Sequence, residues 1–427
     1  MIRLLYQVVV RLLVPVACVT LAVRSLRDKS YRTNFAERFG FGVRSNVPSI
    51  WVHAVSVGEV QAASELVKEL RRRYPEIPLT LTTVTPTGAA RARALFAGDV
   101  DVRFVPYDLT GSVRRFFDRV QPRLAVILET ELWPNLYDEC GRRGVPLVLA
   151  SARISPRSVG RYRLLASLFR KTLANGIVIA AQSNADAERF RSIGANPART
   201  HVIGNVKFDL HVAADHRERG AALRAQHAAT RRFVWVAGST HDGEEQQVLQ
   251  AHALLRAAGV DALLVLAPRH PPRFDTVAQR LRAQGLRIAR RSAGEYADPD
   301  TDVLLLDTLG ELSLYYAAAD VAFVGGSLVP IGGHNLLEPA ALGIATLTGP
   351  HVFNAEDIAA ALVAEGAVAC IDDGETLQRA LLTLAHDPDE RSRRGARGIA
   401  VVDRNRGTLE RLVALLGPLL SATSPTR

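Results

Sequence analysis

From residue 48 onward, short apolar runs alternate with amphipathic stretches of helical period. In the first half the runs are "SIWVHAVS", "PLTLTTVT", "VRFVPYD", "LAVILET", "PLVLAS", "IVIAAQS" and "HVIGNV". Between them stand helical segments such as "VQAASELVKELRRRY" and "SNADAERFRSIG". Strands that are apolar without alternation, separated by helices, belong to parallel sheets covered on both faces. A polar, alanine-rich stretch at 209–232 then reads as a linker, and the series restarts with "FVWVAGS", "ALLVLAPRH", "VLLLDT", "VAFVGGS" and "IATLTGP". The pattern predicts an α/β chain with two doubly wound halves, at 48–225 and 226–405. A segment 406–427 follows, where "GTLERLVALLGPLL" forms one amphipathic helix and a tail. In such sheets ligands gather at the carboxyl ends of the strands.

Residues 1–47 follow another pattern. "LLYQVVVRLLVPVACVTLAV", residues 4–23, has the length of a bilayer span, interrupted by Arg11 and Pro15, and "RSLRDKSYR" follows at once. The "ACV" sequence makes a poor signal-cleavage site, so a retained membrane anchor is expected, spanning or interfacial. A basic cluster after it holds the following chain in the cytoplasm. Charge sharpens this: of a formal net +10 in 427 residues, residues 1–47 contribute eight Arg/Lys against Asp28 and Glu37, a net +6. The expected partner is an anionic membrane surface. Nucleic acid is not expected, because no basic patch is interleaved with aromatics. Three distant cysteines, Cys18, Cys140 and Cys370, offer neither a disulfide framework nor a zinc site.

Candidate chemistry sits where the runs end. "SVGEV" places Glu59 at a strand-to-helix turn, either as a first-turn acid or as a base. "ILETELWPNLYDE" puts Glu129 and Glu131 at another strand end, beside Trp133. "GNVKFD" brings Lys207 and Asp209, which could simply pair with each other. In the second half, "AGSTHDGEE" (237–245) and "APRHPPR" (267–273) end strands. Arg269 there is expensive unless it meets an anion or a neighbouring acid, while His270, set among prolines, reads equally as a loop residue. "VGGSLVPIGGHNLLEPAALG" (324–343) combines two Gly-Gly pairs with a helix start, where Gly332, Gly333 and Asn335 suit phosphate or plain turn chemistry. Asn335 and Glu338 have capping-box spacing. Neither GxGxxG after the first strand nor GxxxxGK[ST] occurs. The Asp-x-Asp pairs at 99/101, 298/300 and 300/302 lie in polar connections, so no metal is expected.

"SVGEV", "ETELWPN", "NVKFD", "GSTHDGEE", "APRHP" and "GGHNLLEPAA", in this order after "YRTNFAERFG", resemble the 3-deoxy-D-manno-octulosonic acid (Kdo) transferases of lipopolysaccharide synthesis. The resemblance covers nearly the whole chain; Pro272 departs from it, where an acid is expected. It implies a GT-B glycosyltransferase fold, two Rossmann-like domains facing a central cleft, behind an N-terminal membrane-anchoring helix. It implies inverting, metal-independent transfer of Kdo from CMP-Kdo to lipid IVA, the lipid A precursor, at the cytoplasmic face of a bacterial inner membrane, with no cofactor. By the same resemblance Glu59 is the general base, Ser56 and Gly58 flank the acceptor, and Glu129, Glu131 and Lys207 are required. Arg269 meets the donor phosphate, Ser239, Thr240, Gly332, Gly333 and Asn335 contact the nucleotide, and Glu338 takes the ribose hydroxyls. Two competing readings are another GT-B enzyme acting on a UDP-sugar (transferase or epimerase) and a non-catalytic, membrane-tethered nucleotide-binding protein.

Overall fold

The computed structural model describes residues 2–164, 166–173, 176–210, 212–213 and 215–422. The expected tail at 423–427 lies outside the described residues, as do His211 and Ala214 of the expected linker. The chain forms two compact units, Met1–Asp209 with Arg406–Arg427, and Leu210–Asn405.

The first unit is built on strands β1 (Ser49–His53), β2 (Leu79–Thr83), β3 (Asp101–Phe104), β4 (Pro122–Leu128), β5 (Leu147–Ala152), β6 (Val178–Ala181) and β7 (Thr200–Val202). All pair in parallel, in the order β3-β2-β1-β4-β5-β6-β7. The winding reverses between β1 and β4, which is where such sheets leave a crevice at their carboxyl edge. Apolar clusters lie on both faces, Leu66, Val67, Leu81 and Val126 on one and Trp51, Phe117, Ile127 and Phe190 on the other. Burial on both sides is why the strands read as unbroken apolar runs.

The second unit repeats the plan with β8 (Phe233–Thr240), β9 (Ala262–Pro268), β10 (Ile288–Arg290), β11 (Val303–Leu305), β12 (Val321–Val324), β13 (Ala345–Thr348) and β14 (Val368–Cys370). The order is β10-β11-β9-β8-β12-β13-β14, again parallel, with the reversal between β8 and β12. Strands β10 and β14 were not among the expected runs. Each is a three-residue edge strand that is only partly buried.

Packing settles three points of organisation. The boundary falls at 209/210 instead of 225/226, because the alanine-rich segment is partly a helix, His216–Gln226, that belongs to the second unit. Its Gly220 sits so close to Ala317 that an added methyl would lie 2.6 Å from the Ala317 carbonyl, and Arg224 pairs with Asp320 at 3.1 Å. The helix Thr408–Ala422 returns to the first unit and buries Leu412, Val413, Leu416 and Leu420 against the sheet. Asp209 starts that helix, accepting from the backbone N–H of Gly407 (2.6 Å) and Leu409 (2.5 Å), so Asp209 is not the partner of Lys207. Finally, the basic segment after the N-terminal helix packs onto the first unit. Arg38 is buried, donates to the Val84 carbonyl at 2.7 Å and lies 4.1 Å over the Phe104 ring. Gly40, at φ +79°, lets the same segment press on Ser112, where any side chain would collide with the carbonyl.

Candidate active site

At the β1–β4 reversal the first unit gathers six of the expected residues. The helix α2 (Val57–Arg73) begins at Ser56, whose hydroxyl accepts from the Glu59 backbone N–H at 3.5 Å. The Glu59 carboxylate reaches back to the Val55 N–H at 2.9 Å, so it does take part in starting the helix. Its surroundings are nonetheless those of a reactive acid. Burial, then the neighbouring charges of Glu129 and Glu131, push its pKa up to about 7 against the opposing pull of Lys207.

Glu129 follows β4 with φ +58°, a left-handed conformation that costs a non-glycine residue free energy and persists where surroundings enforce it. Its carboxylate accepts from Lys207 Nζ at 2.8 Å and lies 3.6 Å from Arg153 Nε. Ser151, at the end of β5, is also left-handed (φ +48°), and its hydroxyl accepts from the Val206 N–H at 3.1 Å, anchoring the turn that carries Lys207. Glu131 accepts from the Trp133 indole N–H at 2.6 Å, and burial raises its pKa. Gly58 is exposed, and an added methyl would meet nothing nearer than the Ser56 hydroxyl at 3.9 Å. The packing of this unit therefore does not itself demand a glycine there.

The second unit gathers the other expected residues at the β8–β12 reversal. Ser239 (φ +57°) forms a bulge at the end of β8, and the buried Thr240 hydroxyl donates to Glu245 at 3.1 Å. Arg273, at the end of the short turn Pro271–Arg273 that follows β9, is held bidentately by Glu245 at 2.7 and 2.8 Å. The neighbouring-acid alternative thus applies to Arg273. Arg269 is half-buried at the end of β9 and enters no ion pair found among the described residues. A cation so placed is open to an anionic ligand.

The glycine-rich loop behaves differently from expectation. The N–H groups of Gly332 and Gly333 both donate to the Gly326 carbonyl, at 3.1 and 2.7 Å. Those of Gly326, Ser327 and Leu328 donate to the fully buried Glu244, at 2.7, 3.0 and 3.0 Å. The loop's donors thus serve an internal carboxylate, and Gly332 (φ +108°) and Gly333 (φ +73°) set its shape. Asn335 does not form a capping box. Leu336 is the N-cap of the short helix Leu337–Leu342, while Asn335 accepts from the Leu337 N–H (3.1 Å) and donates to Glu338 (3.0 Å). Burial raises the Glu338 pKa.

One feature escaped the sequence reading. His241 and His334, 93 residues apart, stack with their Nε2 atoms 2.8 Å from each other, and the His270 ring stands edge-on to His241 at 5.1 Å. One imidazole of the pair must donate and the other accept. Burial, followed by the Arg269 charge, holds His334 down at about 3, so the pair is neutral near pH 7. The signal was topological: each histidine follows one of the two strands that flank the reversal. Among the described residues no group of three or more His, Cys, Asp and Glu is arranged to hold a metal ion. The Asp-x-Asp residues serve locally, Asp298 binding Thr301 and Asp101 pairing with Arg103.

A family model described as 3-deoxy-D-manno-octulosonic-acid transferase matches residues 33–210. The 3-deoxy-D-manno-octulosonic acid transferase of Haemophilus influenzae is 39% identical over 422 residues, covering 98% of this chain and 99% of that protein. That of Bordetella pertussis is 41% identical over 406 residues, 91% and 92% of the two chains. Among solved structures, Anabaena HepE in complex with UDP (16% identity, TM-score 0.57, 88% of this chain and 100% of that one) and Acinetobacter baumannii MurG (13%, 0.56, 87% and 99%) share the fold. The architecture is that of GT-B glycosyltransferases.

Proposed function

This chain belongs to the 3-deoxy-D-manno-octulosonic acid (Kdo) transferase family of glycosyltransferases, and from that premise we propose that it transfers Kdo from CMP-Kdo to a lipid A precursor, with Glu59 as general base. The observation that carries the reading is the Glu59 carboxylate, held at about 7 beside Glu129, Glu131 and Lys207 at the first unit's strand reversal. An acceptor hydroxyl attacking an anomeric carbon must lose its proton. A carboxylate that titrates near neutral pH is basic enough to take that proton and is still deprotonated in about half of the molecules at pH 7. The Gly58 position, not required by packing, leaves room for the acceptor sugar.

On the donor side, the bond from the anomeric carbon to the CMP phosphate breaks, with inversion, and negative charge grows on a single phosphate. Arg269, without an ion-pair partner among the described residues, is placed to neutralise it. Glu338 and Asn335 are the polar groups beside it for the ribose, and the left-handed Ser239 lies at the same edge. One phosphate met by a guanidinium needs no bridging divalent ion, so the reading is metal-independent and uses no cofactor. We infer that the reaction belongs to lipopolysaccharide synthesis and runs at the cytoplasmic face of the inner membrane, a reading that the exposed apolar helix near the N-terminus supports.

Mass spectrometry of lipid IVA incubated with CMP-Kdo and the purified protein tests this. The expected product gains Kdo, and Glu59→Gln loses on the order of 10²–10⁴-fold in rate while still binding CMP. Turnover of UDP-sugars with none of CMP-Kdo overturns the reading.

A further inference from the structure

Helix α1 (Ile2–Arg27) is apolar enough to cross a bilayer, yet one of its faces is fastened to the first unit from end to end. At its start Arg3 pairs with Asp138, the Tyr6 hydroxyl donates to Asp108 at 2.5 Å, and Gln7 bonds both Asn135 and Thr110. At its middle Cys18 faces the Tyr107 hydroxyl, and in its last turn the buried Ser25 accepts from Arg32 at 3.2 Å. Asp108 is no loose surface acid: it is 2% exposed and also accepts from the N–H groups of Asn135 and Leu136, starting the helix Pro134–Arg143.

The opposite face is bare. Leu5, Leu12, Val16, Val19, Val23 and Leu26 are all more than half exposed. At about 100° per residue they form one stripe, and Arg11 and Arg24 fall on its two borders. We propose that α1 lies in the plane of the membrane as an interfacial helix, its apolar stripe among the lipid acyl chains and Arg11 and Arg24 at anionic headgroups, and that it does not cross the bilayer. A helix standing across about 30 Å of hydrocarbon would draw the elements fastened along it into lipid. Those elements carry exposed Arg114, Asp118 and Arg142, whose burial in a bilayer is costly. An amphipathic helix bordered by arginines is instead stable about 5–10 Å into the headgroup boundary. The inference rests on the membrane association proposed above but not on the identity of the sugar transferred.

The test uses the full chain with Cys18 and Cys370 replaced by serine, Cys140 being buried. Spin labels at Leu5→Cys, Leu12→Cys and Val19→Cys are read for depth in vesicles of phosphatidylethanolamine and phosphatidylglycerol. An in-plane helix puts all three at one shallow depth, whereas a standing helix separates the first from the last by about 20 Å along the membrane normal. In parallel, Arg3→Cys with Asp138→Cys should be joined by a short bis-maleimide on the membrane. Graded depths through the bilayer centre, or labels that stay in water or meet a second copy, overturn the proposal, as does failure of the cross-link in vesicle-bound protein. Neither readout uses activity, so a wrong substrate assignment would leave both unchanged.

Discussion

The Glu59 carboxylate closes the first turn of α2 through the Val55 N–H and stands among the like charges of Glu129 and Glu131, the setting on which its proposed role as base rests. Holding a carboxyl at about 7, above its ordinary 4.5, means the folded chain binds a proton that the unfolded chain has released. Between those two values stability therefore falls as pH rises, and below 4.5 there is no difference. Glu59→Gln keeps the acceptor for Val55 and removes the titration, so its melting temperature relative to the parent should rise between pH 4.5 and 7. The gain should be on the order of 3 kcal/mol by pH 8. Neighbouring charges should move the activity profile in opposite directions. Glu129→Gln removes a charge that raises Glu59, shifting the acidic limb of kcat/KM, where the base loses its proton, to lower pH; Lys207→Met shifts it to higher pH. Much of this was legible in the chain, because Glu59, Glu129 and Lys207 each close an apolar run. The Lys207–Glu129 contact, 78 residues apart, and the His241–His334 pair were not, since local pattern says nothing about which strand ends become neighbours.

Among elements, twelve of the fourteen strands were readable, chiefly because parallel strands bury both faces, while β10 and β14 are edge strands that are only partly buried. The helix His216–Gln226 was taken for linker because it buries little beyond Gly220 and Leu223. Close backbone approach is equally silent in a sequence without structure. The helix Pro388–Asn405 crosses Gly343 so tightly that a methyl at Gly395 would stand 1.9 Å from the Gly343 carbonyl, and one at Gly398 3.1 Å from the Ala340 carbonyl. Gly395→Ala raises helix propensity, yet here it should destabilise the second unit by about 1–3 kcal/mol through overpacking. It should also loosen the segment Leu337–Leu342 that carries Glu338. Denaturant unfolding and CMP titration of the variant check both effects; a variant more stable than the parent would contradict the packing.

At the scale of the molecule, the first unit is discontinuous: the chain leaves at Asp209, builds the second unit, and re-enters at Arg406. Asp209 holds both crossings, since its carboxylate caps the returning helix through Gly407 and Leu409. A chain ending at Asn405 should keep a folded second unit and lose the first unit's cooperative melt, because Leu412, Val413, Leu416 and Leu420 leave the β1–β2–β4 face uncovered. Circular dichroism melts of the full and shortened chains measure this. During synthesis the same vacancy exists in every molecule. At roughly 5–20 residues per second, the stretch from Leu210 to Asn405 takes about 10–40 s to emerge. Through that interval the nascent first unit presents an open apolar sheet face, with α1 already beside the membrane. The sheet that carries Glu59 thus gains its last covering helix only after the whole second unit has been made.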